Sequence, residues 1–158
     1  VPITLQFIQG ENVFDKAIMA YSHGWATHVD AVMPDERLLG SQSHVIGGIP
    51  EGVQIRPPKY EPFAKIIRVT LPASPQQEKV FWNFLNAQLG KPYDYAAIFG
   101  MAFGRDWHRD GSWFCSELAG VGLENCGVFP NGLAETTSTL TPPGLLLACS
   151  VLTKVEGV

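Results

Sequence analysis

Apolar and polar residues alternate along Ile3-Thr-Leu-Gln-Phe-Ile-Gln9, and a period of two predicts a half-buried strand there. Asn12 follows where a helix cap is expected. It precedes a helix to about Tyr21 whose Val13, Phe14, Ala17, Ile18 and Tyr21 share one face. Ser22-His-Gly-Trp reads as a turn and residues 26–33 as a strand. Pro34-Asp-Glu is a second turn, with residues 37–42 as the hairpin partner. After the loop Gly47-Gly-Ile-Pro-Glu-Gly52, residues 53–56 and 64–71 supply two more strands.

The clearest helix begins after Ser74, which stands as an N-cap with Pro75 in the first helical position and Gln77 at capping-box spacing. Val80, Phe81, Phe84, Leu85 and Leu89 form its apolar stripe, and Gly90 with Pro92 ends it. A short helix is expected from Tyr95 to Phe103, then a polar loop over 104–111. Another helix starts near Ser112–Phe114 and runs to about Asn125. A Pro/Gly/Thr-rich stretch over 127–144 precedes a last strand at 145–153. No repeat, low-complexity tract or interdomain linker interrupts the pattern, so residues 1–158 read as one α+β domain.

Composition narrows the class. A chain of 158 residues buries roughly 68–70% of its unfolded surface and needs no disulfide or metal staples. Charged residues are 16% of the chain, below the ~25% of an ordinary globular protein, which excludes disorder. A net charge of −4 without Lys/Arg clusters argues against a nucleic-acid surface. No apolar run reaches the ~18–20 residues of a membrane span, and the longest, over 144–152, is strand-sized. The start Val1-Pro-Ile-Thr-Leu-Gln-Phe lacks the basic region and cleavage site of a signal peptide, although a processed chain would look the same.

Three cysteines is an odd count, so at least one thiol is outside any internal disulfide. Gly111-Ser-Trp-Phe-Cys-Ser-Glu-Leu118 places Cys115 in the first turn of a helix. There exposed N–H groups and the helix dipole favour a thiolate and offer donors to an oxyanion. Cys126 falls at a helix end and Cys149 in an apolar strand; both read as packing residues, and a disulfide between them stays arithmetically open. A thiol nucleophile needs an imidazole. Of four histidines, His28 lies mid-strand on the face shared by Ala26 and Asp30. His23 is in a turn, His44 in the loop after the hairpin, and His108 in the polar loop.

Thr27-His-Val-Asp-Ala-Val, Leu38-Leu-Gly-Ser-Gln, Gly47-Gly-Ile, Val53-Gln-Ile-Arg-Pro, Gly90-Lys-Pro-Tyr-Asp-Tyr and Trp113-Phe-Cys-Ser-Glu-Leu occur in that order. Over roughly residues 5 to 125 this resembles the circularly permuted branch of the NlpC-type cysteine peptidases, the YiiX/YaeF-like papain-fold group, which has phage-borne members. The resemblance implies a permuted papain-like α+β fold, with a small antiparallel sheet or half-barrel packed against helices. It implies a cysteine-dependent hydrolase cleaving amide bonds, foremost in cell-wall peptidoglycan peptides, without cofactor or metal. Such a chain would act on the cell envelope from the bacterial cytoplasm or a phage particle. Cys115 would be the nucleophile and His28 the general base. Tyr93, in a segment similar to the Pro-Tyr-x-Trp stretch of ordinary members, would aim its hydroxyl at the thiolate or oxyanion, or else be a packed aromatic. Glu117 would be structural. A lipid-ester hydrolase or acyltransferase, or a non-catalytic phage module, are the alternatives on the same fold.

The pattern departs at the residue that orients the histidine. No acid stands around Leu39-Gly-Ser-Gln42, leaving Gln42 or His44 as substitutes, with Ser41 behind them. Asp30 shares the His28 face, but two residues along a strand are ~6.5–7 Å apart, and its side chain is expected beside the ring rather than at its far nitrogen. Asp106-x-His108-x-Asp110 has metal-ligand residue types but reads as a solvated loop. Gly47-Gly48 lacks the Lys-Ser/Thr and helix of a phosphate loop. Phe81, Trp82 and Phe84 read as core, whereas Trp25, Trp107 and Trp113 either line a substrate groove or pack.

Overall fold

Five of the segments expected as strands form β1 (Ile3–Gln9), β2 (His28–Val32), β3 (Leu38–Gln42), β4 (Gly52–Arg56) and β5 (Lys65–Leu71). The helical segments form α1 (Val13–Ser22), α2 (Pro75–Ala87), α3 (Tyr95–Ala102), α4 (Cys115–Asn125) and α5 (Pro142–Val155). This computed structural model describes residues 2–102, 109–130 and 141–155. The five strands make one open antiparallel sheet in the order β4-β3-β2-β1-β5. The protein is therefore of the α+β class, and no described helix is long and apolar enough to cross a membrane.

One face of the sheet is apolar. Ile3, Leu5 and Phe7 of β1, Val29 and Ala31 of β2, Leu39 and Val53 meet Phe81 and Leu85 of α2 and Leu118, Ala119 and Leu123 of α4 in a single core. α4 packs across β2 and β3, while α5 packs on β5 and α4. β5 is an edge strand whose middle is exposed, and its Lys65 and Arg68 are the kind of charged residues that discourage further pairing.

The caps form as the sequence predicts. Asn12 and Asp15 bond reciprocally at the start of α1, both at 2.9 Å, and Ser74 and Gln77 do so at α2. The expected apolar face of α1 is only partly covered: Ile18 is buried, but Val13 is 80% and Tyr21 43% exposed.

The expected strand at 145–153 is a helix, α5. Thr141 caps it, its Oγ1 accepting from the Gly144 N–H at 3.3 Å, and Pro142 opens the helix, where its missing N–H costs nothing. Leu145 and Cys149, four apart, are both fully buried, which is helical rather than strand spacing. A run apolar on nearly every position hides that period, and Thr-Pro-Pro is the local start signal.

Candidate functional site

The chain entering α4 is pinned from several sides. Gly111 takes φ +80°, a left-handed value that favours glycine. Ser112 bonds the Arg109 carbonyl through its hydroxyl at 2.8 Å. The Trp113 N–H donates to the Pro92 carbonyl at 3.0 Å, and the Trp113 carbonyl accepts from the Asp94 N–H at 3.1 Å and the Ser41 hydroxyl at 2.7 Å. The indole of Trp113 donates to Gln88 at 3.0 Å and stands edge-on to Phe84. Trp113 is thus a packed anchor. Phe114 caps α4 without a side-chain bond, so Cys115 is the first helical residue, 1% exposed. Glu117 accepts from the Phe114 N–H at 3.5 Å, a structural contact.

The 90–93 segment is tied to β4. Gly90 donates to the Val53 carbonyl and Val53 to the Lys91 carbonyl, at 2.8 and 2.9 Å. Gly52 makes this approach possible, because a Cβ there would lie 2.3 Å from the Lys91 carbonyl oxygen. Asp94 caps α3 through the Ala97 N–H at 3.0 Å and holds the Arg109 N–H at 2.8 Å.

His28 opens β2 where the β2–β3 ladder has already ended, since only Ala31–Leu39 and Val32–Leu38 are paired. Its Nε2 lies 2.8 Å from Asp30 Oδ1, with both side chains buried. Asp30, not Gln42 or His44, stands at the far nitrogen. The sequence expectation for Asp30 thus fails on geometry. Side chains on one strand face lean along the strand, and Gly40 on β3 leaves the space: a Cβ there would sit 1.9 Å from Asp30 Oδ1. With Nε2 engaged, Nδ1 is the nitrogen left for Cys115, whose side chain is within hydrogen-bonding reach of the ring. Burial alone disfavours the imidazolium, but Asp30 and Cys115 outweigh it and raise the His28 pKa to about 10. Burial also works against the Asp30 carboxylate. His28, the Tyr60 hydroxyl and Arg56 together reverse that and hold its pKa below the ordinary value.

Gln42 and His44 are elsewhere. Gln42 Nε2 donates to Tyr60 Oη at 2.8 Å, and Tyr60 donates to Asp30 Oδ2, also at 2.8 Å. His44 Nε2 faces Glu61 at 3.3 Å, and Ser41 bonds Trp113 instead. Arg56, 1% exposed, donates to the carbonyls of Gly40, Pro50 and Gly52. Its burial lowers its pKa, which the nearby Asp30 resists.

Tyr93 is buried close to Cys115. Burial first, and then the Cys115 charge, push its phenol well above the usual range. It packs edge-on against Phe114 and Tyr95. Beside it runs a cleft of about 470 Å³ lined by Glu51, Pro92, Tyr95, Arg109, Asp110 and Ser112 among others. Lys65 Nζ lies 4.2 Å over the Trp25 ring. All three cysteines are free. Burial raises the pKa of Cys126 at the end of α4, and that of Cys149 to about 12. Asp106, Trp107 and His108 lie outside the described residues, among which no three His, Cys, Asp or Glu side chains cluster as metal ligands.

Reading the sequence alone missed Tyr60 and Arg56 and set Asp30 aside. One signal was available: Gly40, a glycine inside a strand, marks a close approach. No protein-family model matches the chain, and no curated protein matches it significantly.

Proposed function

We propose that the protein is a thiol hydrolase of permuted papain-like, NlpC-type architecture, cleaving an amide bond in peptidoglycan peptides. The observation that carries the reading is Cys115 at the first turn of α4, beside a His28 whose other nitrogen is bonded to a buried carboxylate. Nucleophile, proton carrier and orienting group then stand in the order acyl transfer requires.

With its pKa at about 10, His28 is an imidazolium at neutral pH. It enters the reaction as the acid, and Cys115 attacks as the thiolate that the α4 terminus and the imidazolium favour. Cys115 Sγ attacks the carbonyl carbon, and the oxyanion is met by N–H groups at the α4 terminus. The C–N bond breaks as His28 gives its proton to the leaving amine. Water then attacks the thioester, neutral His28 takes a proton from it, and Sγ leaves as the thiolate. We take the cleft that Tyr93 lines as the route of approach to the buried Cys115. Its Glu51, Arg109 and Asp110 suit a charged peptide better than the acyl chain of a lipid ester. The Asp30 carboxylate at His28 favours a catalytic chain over a non-catalytic module on the same fold.

Digestion of purified peptidoglycan by wild type, Cys115→Ala and Cys126→Ala tests the proposal. Cys115→Ala should lose at least about 10³-fold in rate, while Cys126→Ala stays near wild type. A Cys115→Ala protein that still releases peptides at the wild-type rate ends the reading.

A further inference from the structure

We propose that Tyr60, its hydroxyl direction set by Gln42, is a positioning residue that holds Asp30 against His28 and fixes which imidazole nitrogen faces Cys115. The proposal rests on the thiol-hydrolase reading for its purpose, but its geometry stands without it.

Three bonds of 2.8 Å run from Gln42 to Tyr60, from Tyr60 to Asp30, and between Asp30 and His28. Their polarity is set from one end. An amide Nε2 is only a donor, so Tyr60 Oη accepts from it, and the hydroxyl proton points onward to Asp30 Oδ2. An ionised carboxylate only accepts. With Oδ2 taken, Oδ1 receives the Nε2–H of His28, and Nδ1 is left toward the thiol. Burial, together with the Asp30 charge, holds the Tyr60 phenol well above its ordinary pKa, so it remains a donor. The orienting role that sequence left to Gln42 is thus passed through one intervening phenol. Tyr60 lies between β4 and β5, seated edge-on to Phe63 at 5.1 Å and under the Arg56 guanidinium at 5.9 Å. Those contacts survive loss of the hydroxyl.

The charged and titratable groups facing Asp30 are His28 from its own strand, Arg56 from β4 and Tyr60, with Glu61 acting on the last two. Cys115 of α4 acts through His28. Tyr60→Phe removes the bond to Oδ2 together with the one accepted from Gln42, and losing the donor to Oδ2 raises the pH at which Asp30 takes up a proton.

The test follows the Asp30 carboxyl ¹³C shift and the His28 ring ¹⁵N shifts against pH in wild type, Tyr60→Phe and Gln42→Leu. In Tyr60→Phe the Asp30 midpoint should rise by about one pH unit, the scale of one hydrogen bond to a charged group. The His28 signals should lose the single-tautomer pattern where the ring is neutral. Gln42→Leu should shift both the same way by less, and it decides the matter if Tyr60→Phe does not fold. A folded variant with the wild-type midpoint and ¹⁵N pattern overturns the proposal. Cys115→Ala digestion fails or succeeds independently: if it kept activity while the Asp30 midpoint still moved in Tyr60→Phe, positioning would stand and the hydrolase reading alone would fall.

Discussion

α4 carries a cysteine at each end, and the two ends differ in everything except burial. Cys115 is 1% and Cys126 7% exposed. Cys115 begins the helix, where the dipole is positive, and it lies within hydrogen-bonding reach of an imidazole held by a carboxylate. Cys126 closes the helix, where carbonyls collect, and its Sγ lies 3.2 Å from the Leu123 carbonyl oxygen. Burial there raises its pKa, with only the backbone N–H groups of Val128 and Cys126 opposing it among the described residues. A buried thiol is therefore not chemistry by itself. The difference lies in the polar groups that the sheet delivers to one end and not the other.

The comparison breaks most severely if the carboxylate is neutralised. Asp30→Asn leaves His28 buried without its anion, which should cut hydrolysis by about 10²–10⁴-fold and destabilise the fold by about 3–5 kcal/mol. Steady-state rates and urea unfolding measure the two. Wild-type values for both would mean that Asp30 does not distinguish the ends of α4.

A smaller effect comes from filling the space beside it. Gly40→Ala places a methyl 1.9 Å from Asp30 Oδ1, so the carboxylate must turn from His28. A loss of about 1–3 kcal/mol is expected, with a fall in activity. Unchanged unfolding would show that the strands absorb the methyl.

The effect most gradual in onset, and the sharpest in sign, is pH dependence. The His28 pKa of about 10 lies above its ordinary 6.5. Its contribution to stability is complete below about 6.5 and fades as pH rises through about 10. Asp30 is lowered from 3.8, so its contribution is present above that value and lost as pH falls through the folded pKa. Thermal stability should hold between about pH 3.8 and 6.5, decline by at most about 1.4 kcal/mol per pH unit between about 6.5 and 10 for the one proton, and level off above. In Asp30→Asn that alkaline decline should flatten. A decline just as steep in the variant would place its origin in another group.

Much of this was legible locally. Short apolar runs between turn signals marked all five strands, and the cap at Asn12 and the capping box at Ser74 marked two helix starts, because each depends on neighbours a few residues apart. The placement of Cys115 at the head of α4 is of the same kind. The apolar run of α5 carries no clear period, so the deciding information lies in its Thr141-Pro142 start.

The residue types of the candidate site, a thiol at a helix start and a histidine on a strand, were determined by the sequence itself. Which side chain meets the far nitrogen of His28 was decided only by tertiary structure. That choice depends on Gly40 lying opposite Asp30 across β2 and β3. It depends equally on residues 57–64 returning Tyr60 to Asp30, thirty positions away. Both are contacts between segments that folding brings together, and strand spacing alone cannot encode them.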